Sequence, residues 1–237
     1  MGTRERQERE REIVRRAIVD AARELFVAEG FGKVSMRKIA ERIEYSPAAI
    51  YSYFPGKDDI FYALAEEGFR LLCDGLPKDP KDEETDPLTI VRHALKGLYR
   101  FSQAHPEYYA LMFLDREVPN LKGAAERIPL FAEMVGHMRK AMRRCIDEGI
   151  FPGATDPIAV FDVLKTAVHG AATATVCGRL RPGVQGDALA HDLIEITIAG
   201  LRSGVPLTFV PSGSFAECPA TASAVATEPE PVESSPS

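Results

Sequence analysis

Apolar residues recur at three- and four-residue spacing along almost the whole chain, a pattern that predicts an all-α protein. In IVRRAIVDAARELFVAEGF, Ile13, Ala17, Ala21, Leu25 and Phe26 share one face, and Gly30 stands where such a helix ends. Upstream, RERQERERE offers Glu5–Arg9 and Glu12–Arg16 pairs four apart, so the helix is expected to start early and fray. Ser35 reads as the N-cap of a helix over 36–43, with Ile39, Ala40 and Ile43 as its apolar side. Ser46, followed by Pro47 at the favoured first helical position, opens another over 47–54. Pro55-Gly56 ends it. Asp58 and Asp59 then suit the positive end of a third helix reaching about residue 75.

KDPKDEETDP, 78–87, is a polar, proline-bounded linker. Further helices are expected in PLTIVRHALKGLYRFSQAH, in PEYYALMFLD, and over 129–148, 156–180 and 187–203. Only TFV near residue 209 has strand character. From about Val205 the chain turns rich in Pro, Ser, Ala and Glu, the composition of a disordered tail. The organisation expected is a three-helix head over 10–60, a helical bundle over 61–204 and a tail over 205–237.

Composition narrows the class. With 237 residues, 45% of them hydrophobic, a sizeable core is possible, and no run of about 18 apolar residues would span a membrane. The charged start MGTRERQERERE lacks an apolar signal region, and its sixth residue does not fit myristoylation. Cys73, Cys145, Cys177 and Cys218 are too scattered for a zinc site or a disulfide framework, so reduced thiols in a cytoplasmic protein are expected. The net charge of -6 is uneven: residues 1–57 carry 12 Lys/Arg against 9 Asp/Glu, the remainder 17 against 26. A basic head on an acidic body suggests that the head alone meets an anionic partner.

Two short helices joined by a tight turn behind a longer one form a helix-turn-helix. A second helix of about eight residues is ~12 Å long, matching the ~12 Å major groove of DNA. Ile50 and Phe54, four apart, would pack inward against Ile39, Ala40 and Leu25. Tyr51 and Tyr53 then lie off that face, with hydroxyls for phosphates or base edges. Lys57 beside free helix-start amides reads as a phosphate clamp. Ala48 and Ala49 let the backbone approach the bases. Arg4, Arg6, Arg9 and Arg11 read instead as a salt-bridged helix end, since interleaved Glu cancels their charge.

The segment FGKVSMRKIAERIEYSPAAIYSYFPGKDDIF resembles the N-terminal domain of TetR-family transcriptional repressors. The resemblance rests on Ser35 opening the second helix, the Ile39-Ala40 pair within it, and Tyr51, Phe54 and Lys57 in a Y-x-x-F-x-x-K run. It covers about residues 10–73 and implies Ser35, Arg37, Ser46, Pro47, Ala48, Tyr51, Tyr53 and Lys57 as contacts to double-stranded operator DNA. The family commonly has Gly-Val in the turn; here stand Glu44-Tyr45, and Glu44 is expected to distort it slightly.

HPEYYALMF and AVHGAATATVCGRL resemble a WHG-type ligand-binding domain of the same family. Its tryptophan would fall near Ala167, where this chain has none, while His169-Gly170 is kept. That resemblance implies a homodimer through helices near 156–180 and 187–203, and a small hydrophobic or amphipathic effector that relieves repression. Phe101, Tyr109, Phe113, Met134, Met138, Phe161 and His169 are the candidate pocket residues. Ordinary core packing is the competing account of most of them.

None of the five histidines follows Glu at di-iron spacing, and HExxH, GxSxG and a phosphate-binding Gly loop are missing. No catalytic residue, metal or cofactor is expected. Two alternatives stand beside the regulator: an all-α adaptor for another protein, and, less supported, an all-α enzyme.

Overall fold

Caps and breakers set the helix boundaries. In the computed structural model, which describes residues 2–76, 85–119, 124–154 and 156–208, the main chain between the caps is helical and contains no strand among the described residues. Helix α1 runs Thr3–Glu29, its outer end carried by Arg4–Glu8 and Arg6–Glu10 pairs at 3.1 and 2.9 Å. Arg16 does not take Glu12; it bonds Asp20 one turn on and Glu67, 51 residues along the chain, at 3.2 and 2.7 Å. Gly30, at φ 86°, stops α1 and hands the chain to a 3₁₀ turn, Phe31–Lys33. Then come α2 (Met36–Arg42), α3 (Pro47–Tyr51) and α4 (Lys57–Asp74).

Helix α3 is shorter than the expected 47–54. Ser52 turns its hydroxyl back onto the Ala49 carbonyl at 2.6 Å, and Pro55 disfavours helical backbone at the residue before it. The chain therefore closes as turns through Tyr53, with the Phe54 amide still reaching the Ile50 carbonyl at 3.0 Å.

The body comprises α5 (Pro87–Ala104), α6 (Pro106–Phe113), α7 (Ala124–Arg127), α8 (Pro129–Asp147), α9 (Pro157–Val176) and α10 (Gly186–Arg202). Four open on proline, which is suited to a position whose N–H has no helical partner. The expected 156–180 helix stops at Val176, because Gly178 adopts φ 62° and lets the Arg179 amide close onto the Ala174 carbonyl at 2.8 Å. Helix α9 packs against α10, α5 and α8.

Helix α4 belongs to both parts. Its Ile60, Phe61, Leu64, Phe69 and Leu72 are buried, and one continuous apolar core runs from Ile18 to Leu201. The expected boundary at residue 60 falls inside this helix. Gly68 lets α6 close on α4, since a side chain there would meet Met112 Sδ. Among the described residues, no helix is long and apolar enough to cross a membrane. Cys73, Cys145 and Cys177 are free thiols. Most of the expected linker, Cys218, the Phe209-Val210 part of TFV and the tail from 209 lie outside the described residues.

Candidate functional site

Two serine caps hold the helix-turn-helix. Ser35 Oγ accepts the Lys38 amide and Ser46 Oγ accepts the Ala49 amide, each at 3.2 Å. An accepting hydroxyl keeps its own proton, so both exposed serines can still donate outward. The turn between them ends α2 with the paired bonds of a Schellman motif. The Tyr45 amide reaches the Ala40 carbonyl at 2.9 Å and the Glu44 amide the Glu41 carbonyl at 3.3 Å. Glu44 occupies the left-handed position at φ 59°. The expected distortion is not what this geometry shows: the turn keeps its bonds, and Glu44 carries the conformational cost, about 1–2 kcal/mol for an L-residue.

Helix α3 divides its residues between two sides. Ile50 and Phe54 are buried in the core that holds Ile39 and Ala40. Ser46, Pro47 and Ala48 are exposed, and Tyr51 is 53% exposed. Tyr53 is half-buried, with the Arg11 guanidinium 5.6 Å from its ring centre, and Arg15 lies 5.0 Å over Phe54. Arg37 projects from α2, paired with Glu41 at 2.7 Å in a largely exposed bridge. Such a bridge is held weakly enough to be exchanged for another anion.

Lys57 is oriented differently from an outward clamp. Its ammonium donates to the Phe31 carbonyl at 2.8 Å and lies 4.0 Å from that ring's centre. The Phe31 amide in turn donates to Asp115 Oδ2 at 3.1 Å. Asp115 lies two residues past α6, so one residue of the head, Phe31, is clasped by α4 at its carbonyl and by the body at its amide.

In the body, Tyr109 on α6 and His169 on α9 meet with the phenol oxygen 2.7 Å from Nδ1; Thr173 Oγ1 is 3.4 Å away. Phe113 completes the group, its ring centre 5.2 Å from Tyr109 and 4.9 Å from His169. Burial, aided by the positive charge of Lys165, lowers the His169 pKa to about 4, and burial raises that of Tyr109. At neutral pH the pair is uncharged, two polar groups in an aromatic setting. Phe101 is buried on α5 with its ring 5.8 Å from His105. Met134 and Met138 are half-buried on α8, and Phe161 on α9 lies under the Lys165 ammonium at 5.3 Å. The ring contacts therefore gather three of the seven candidate pocket residues into one cluster.

Residues 18–64 match the profile of bacterial regulatory proteins, tetR family, and residues 91–197 match that of the tetracyclin repressor-like C-terminal domain. The chain belongs to the TetR family. The second match contains both HPEYYALMF and AVHGAATATVCGRL. The HTH-type transcriptional repressor Rv1474c of Mycobacterium tuberculosis is 42% identical over 95 residues, 40% of this chain and 43% of that protein. The nucleoid occlusion factor SlmA of Vibrio vulnificus is 30% identical over 130 residues, 52% of this chain and 63% of SlmA. The chain thus matches less than two thirds of the length of either curated relative. Among solved structures, the fatty acid degradation regulator FadR from Bacillus halodurans has the same fold, with a TM-score of 0.60 at 18% identity over 79% of this chain and 96% of that one.

Within this TetR-family frame, sequence reasoning missed Thr173, Phe31 and Asp115. Thr173 lies one helical turn from His169, so spacing could have suggested it. No local pattern points to Phe31 or Asp115, which are 84 residues apart.

Proposed function

We propose that the protein is a cytoplasmic, homodimeric transcriptional regulator that represses by binding a near-palindromic operator and lets go when a hydrophobic or amphipathic small molecule binds its body. The observation that carries this reading is the outward face of α3, where Ser46, Pro47, Ala48 and Tyr51 are exposed while Ile50 and Phe54 lock the helix to the head. A helix of five residues is about 7.5 Å long and enters a major groove about 12 Å wide with room for side chains. Ser35, Arg37, Ser46, Tyr51 and Tyr53 supply donors to phosphates and base edges, and Pro47 and Ala48 lie close against the bases. Lys57 keeps two N–H donors beyond its bond to Phe31, and these, with the first amides of α4, meet a phosphate.

The dimer is assigned to α9 and α10. A side chain added at Gly170 or Gly200 would meet nothing within 4 Å, and Ile196 is 68% exposed, so this face is left for a second copy. Tyr109, Phe113 and His169 supply an aromatic wall and a neutral polar handle for the effector. Met134, Met138, Phe101 and Phe161 extend the apolar lining. The effector acts by binding one spacing of the two heads more tightly than the other.

Selection of bound fragments from genomic DNA tests the reading. The bound duplex should lose affinity steeply between about 50 and 200 mM salt, as phosphate contacts require. An adaptor protein's apolar contacts would hardly respond, and a salt-insensitive complex would overturn the assignment. Tyr51→Ala should lose operator binding with the circular dichroism spectrum unchanged. Gly170→Arg should yield folded monomers; an unaltered dimer would exclude α9 from the interface.

A further inference from the structure

An open cleft of about 530 Å³ lies between the outer half of α1 and α3. Tyr45, just before the α3 cap, and Ser52 and Tyr53, just after the helix, line one side; Glu10, Arg11 and Ile13 of α1 line the other. We propose that this cleft seats the sugar–phosphate backbone of the operator strand beside the groove that α3 enters, with Arg11 as its phosphate-binding residue. The proposal rests on the DNA-binding reading above and adds a contact surface on α1.

Three observations support it. First, charge: Glu10 is neutralised by Arg6 at 2.9 Å, whereas no carboxylate lies within ion-pair distance of Arg11 among the described residues. On α1, Arg4, Arg6, Arg16 and Arg23 have carboxylate partners, as do Arg37, Lys38 and Arg42 on α2, while Arg15 lies over Phe54 and does not line the cleft. The net charge of the cleft is therefore that of Arg11. Second, pre-organisation: Arg11 Nη2 donates to the Ser52 carbonyl at 3.3 Å and its guanidinium lies over the Tyr53 ring. A guanidinium has five N–H donors, so most remain available while the side chain is already held, which lowers the ordering cost of binding. Third, chemistry: a planar fork of donors matches a phosphodiester, and the Tyr45 and Tyr53 hydroxyls add neutral donors of the kind that position a backbone without reading sequence.

The test uses the full chain and fluorescence anisotropy on two duplexes, a selected operator fragment and an unrelated sequence of equal length. Arg11→Gln should weaken both by about tenfold and flatten the plot of log affinity against log salt by about one unit, since a lost phosphate contact acts on every sequence alike. Ile13→Glu, an exposed change that places an uncompensated carboxylate in the cleft, should weaken both at least as much. Arg4→Gln, which removes an arginine already paired with Glu8, should stay within about twofold of the wild type. Wild-type binding with Arg11→Gln or Ile13→Glu indistinguishable from it would overturn the cleft assignment alone. An equal loss in Arg4→Gln would replace a built site with mere net charge and also overturn it. A wild type that binds neither duplex would overturn the DNA-binding reading itself.

Discussion

The head and the body of this protein place their polar side chains in opposite ways. In the head, Ser35, Arg37, Ser46 and Tyr51 sit outside, on short helices whose caps and turn are complete within about ten residues of sequence. In the body, Tyr109 and His169 sit inside, on helices that approach only when the bundle closes, 60 residues apart. A surface that meets DNA has to offer its donors to solvent beforehand. A pocket that meets an apolar molecule keeps its few donors satisfied by one another until the ligand arrives. Stability and function should therefore separate in the head and coincide in the body.

The largest expected effect is a pair of tyrosine truncations. Tyr109 is fully buried and hydrogen-bonded, so Tyr109→Ala should cost about 3–5 kcal/mol of unfolding free energy. Tyr51 is half in solvent, and Tyr51→Ala should stay within about 0.5 kcal/mol while DNA binding is lost. Urea denaturation of both variants gives the comparison; similar costs would break the inside–outside division.

Next in size is acid sensitivity. The head, 1–57, has no histidine, whereas the body holds His169, whose pKa falls from 6.5 to about 4. Between these values the unfolded chain takes up a proton that the folded chain refuses. The contribution is therefore complete above pH 6.5 and is lost as the pH falls toward 4. The shift corresponds to roughly 3 kcal/mol. The slope of stability against pH over this window should be shallower in His169→Gln than in the wild type, and parallel slopes would show that the imidazole titrates normally in the fold.

The same contrast explains what was legible in sequence. Ser35, Ser46, Pro47 and Gly30 marked helix ends because a cap acts within three or four residues and its chemistry is local. Ile50 and Phe54 revealed their buried side through spacing alone. The early stop of α3 escaped because Ser52 competes for a carbonyl, a choice that periodicity does not encode. The direction of the Lys57 ammonium depends on where the Phe31 carbonyl lies, and that is set by a 3₁₀ turn 26 residues upstream. Of the seven pocket candidates, apolar and aromatic composition flagged six and the family resemblance His169, yet only tertiary geometry joins Tyr109, Phe113 and His169.

One contact crosses between the two regions and should show an intermediate effect. Asp115→Ala removes the acceptor of the Phe31 amide, a half-buried bond worth about 1 kcal/mol. Hydrogen exchange at that amide should accelerate about fivefold, with exchange in α9 unchanged. Uniform acceleration through the body would mean that the clasp stabilises the whole fold and does not act as a local tie.

The smallest effect concerns the turn, where Glu44 takes the left-handed position. Glu44 sits at φ 59° with a complete set of turn bonds, so two properties of one residue are superposed: a strained backbone and a carboxylate two residues ahead of the α3 cap. Glu44→Gly relieves both. Release of about 1–2 kcal/mol of left-handed strain, less the entropy that glycine loses on folding, leaves a gain of about 0.5–1 kcal/mol. Glu44→Asn, which tolerates the left-handed region, should recover part of that gain. Glu44→Gln should recover none of it, because its backbone is as restricted as that of Glu. All three remove the same charge beside the DNA-facing helix and should tighten operator binding by a similar factor of about two to five at low salt, an advantage that disappears near 1 M. Thermal melts sort the variants by backbone, and binding sorts them by charge. If binding followed the melting order instead, turn strain would be acting on the position of α3, and the head's function would be tied to its stability as closely as the body's.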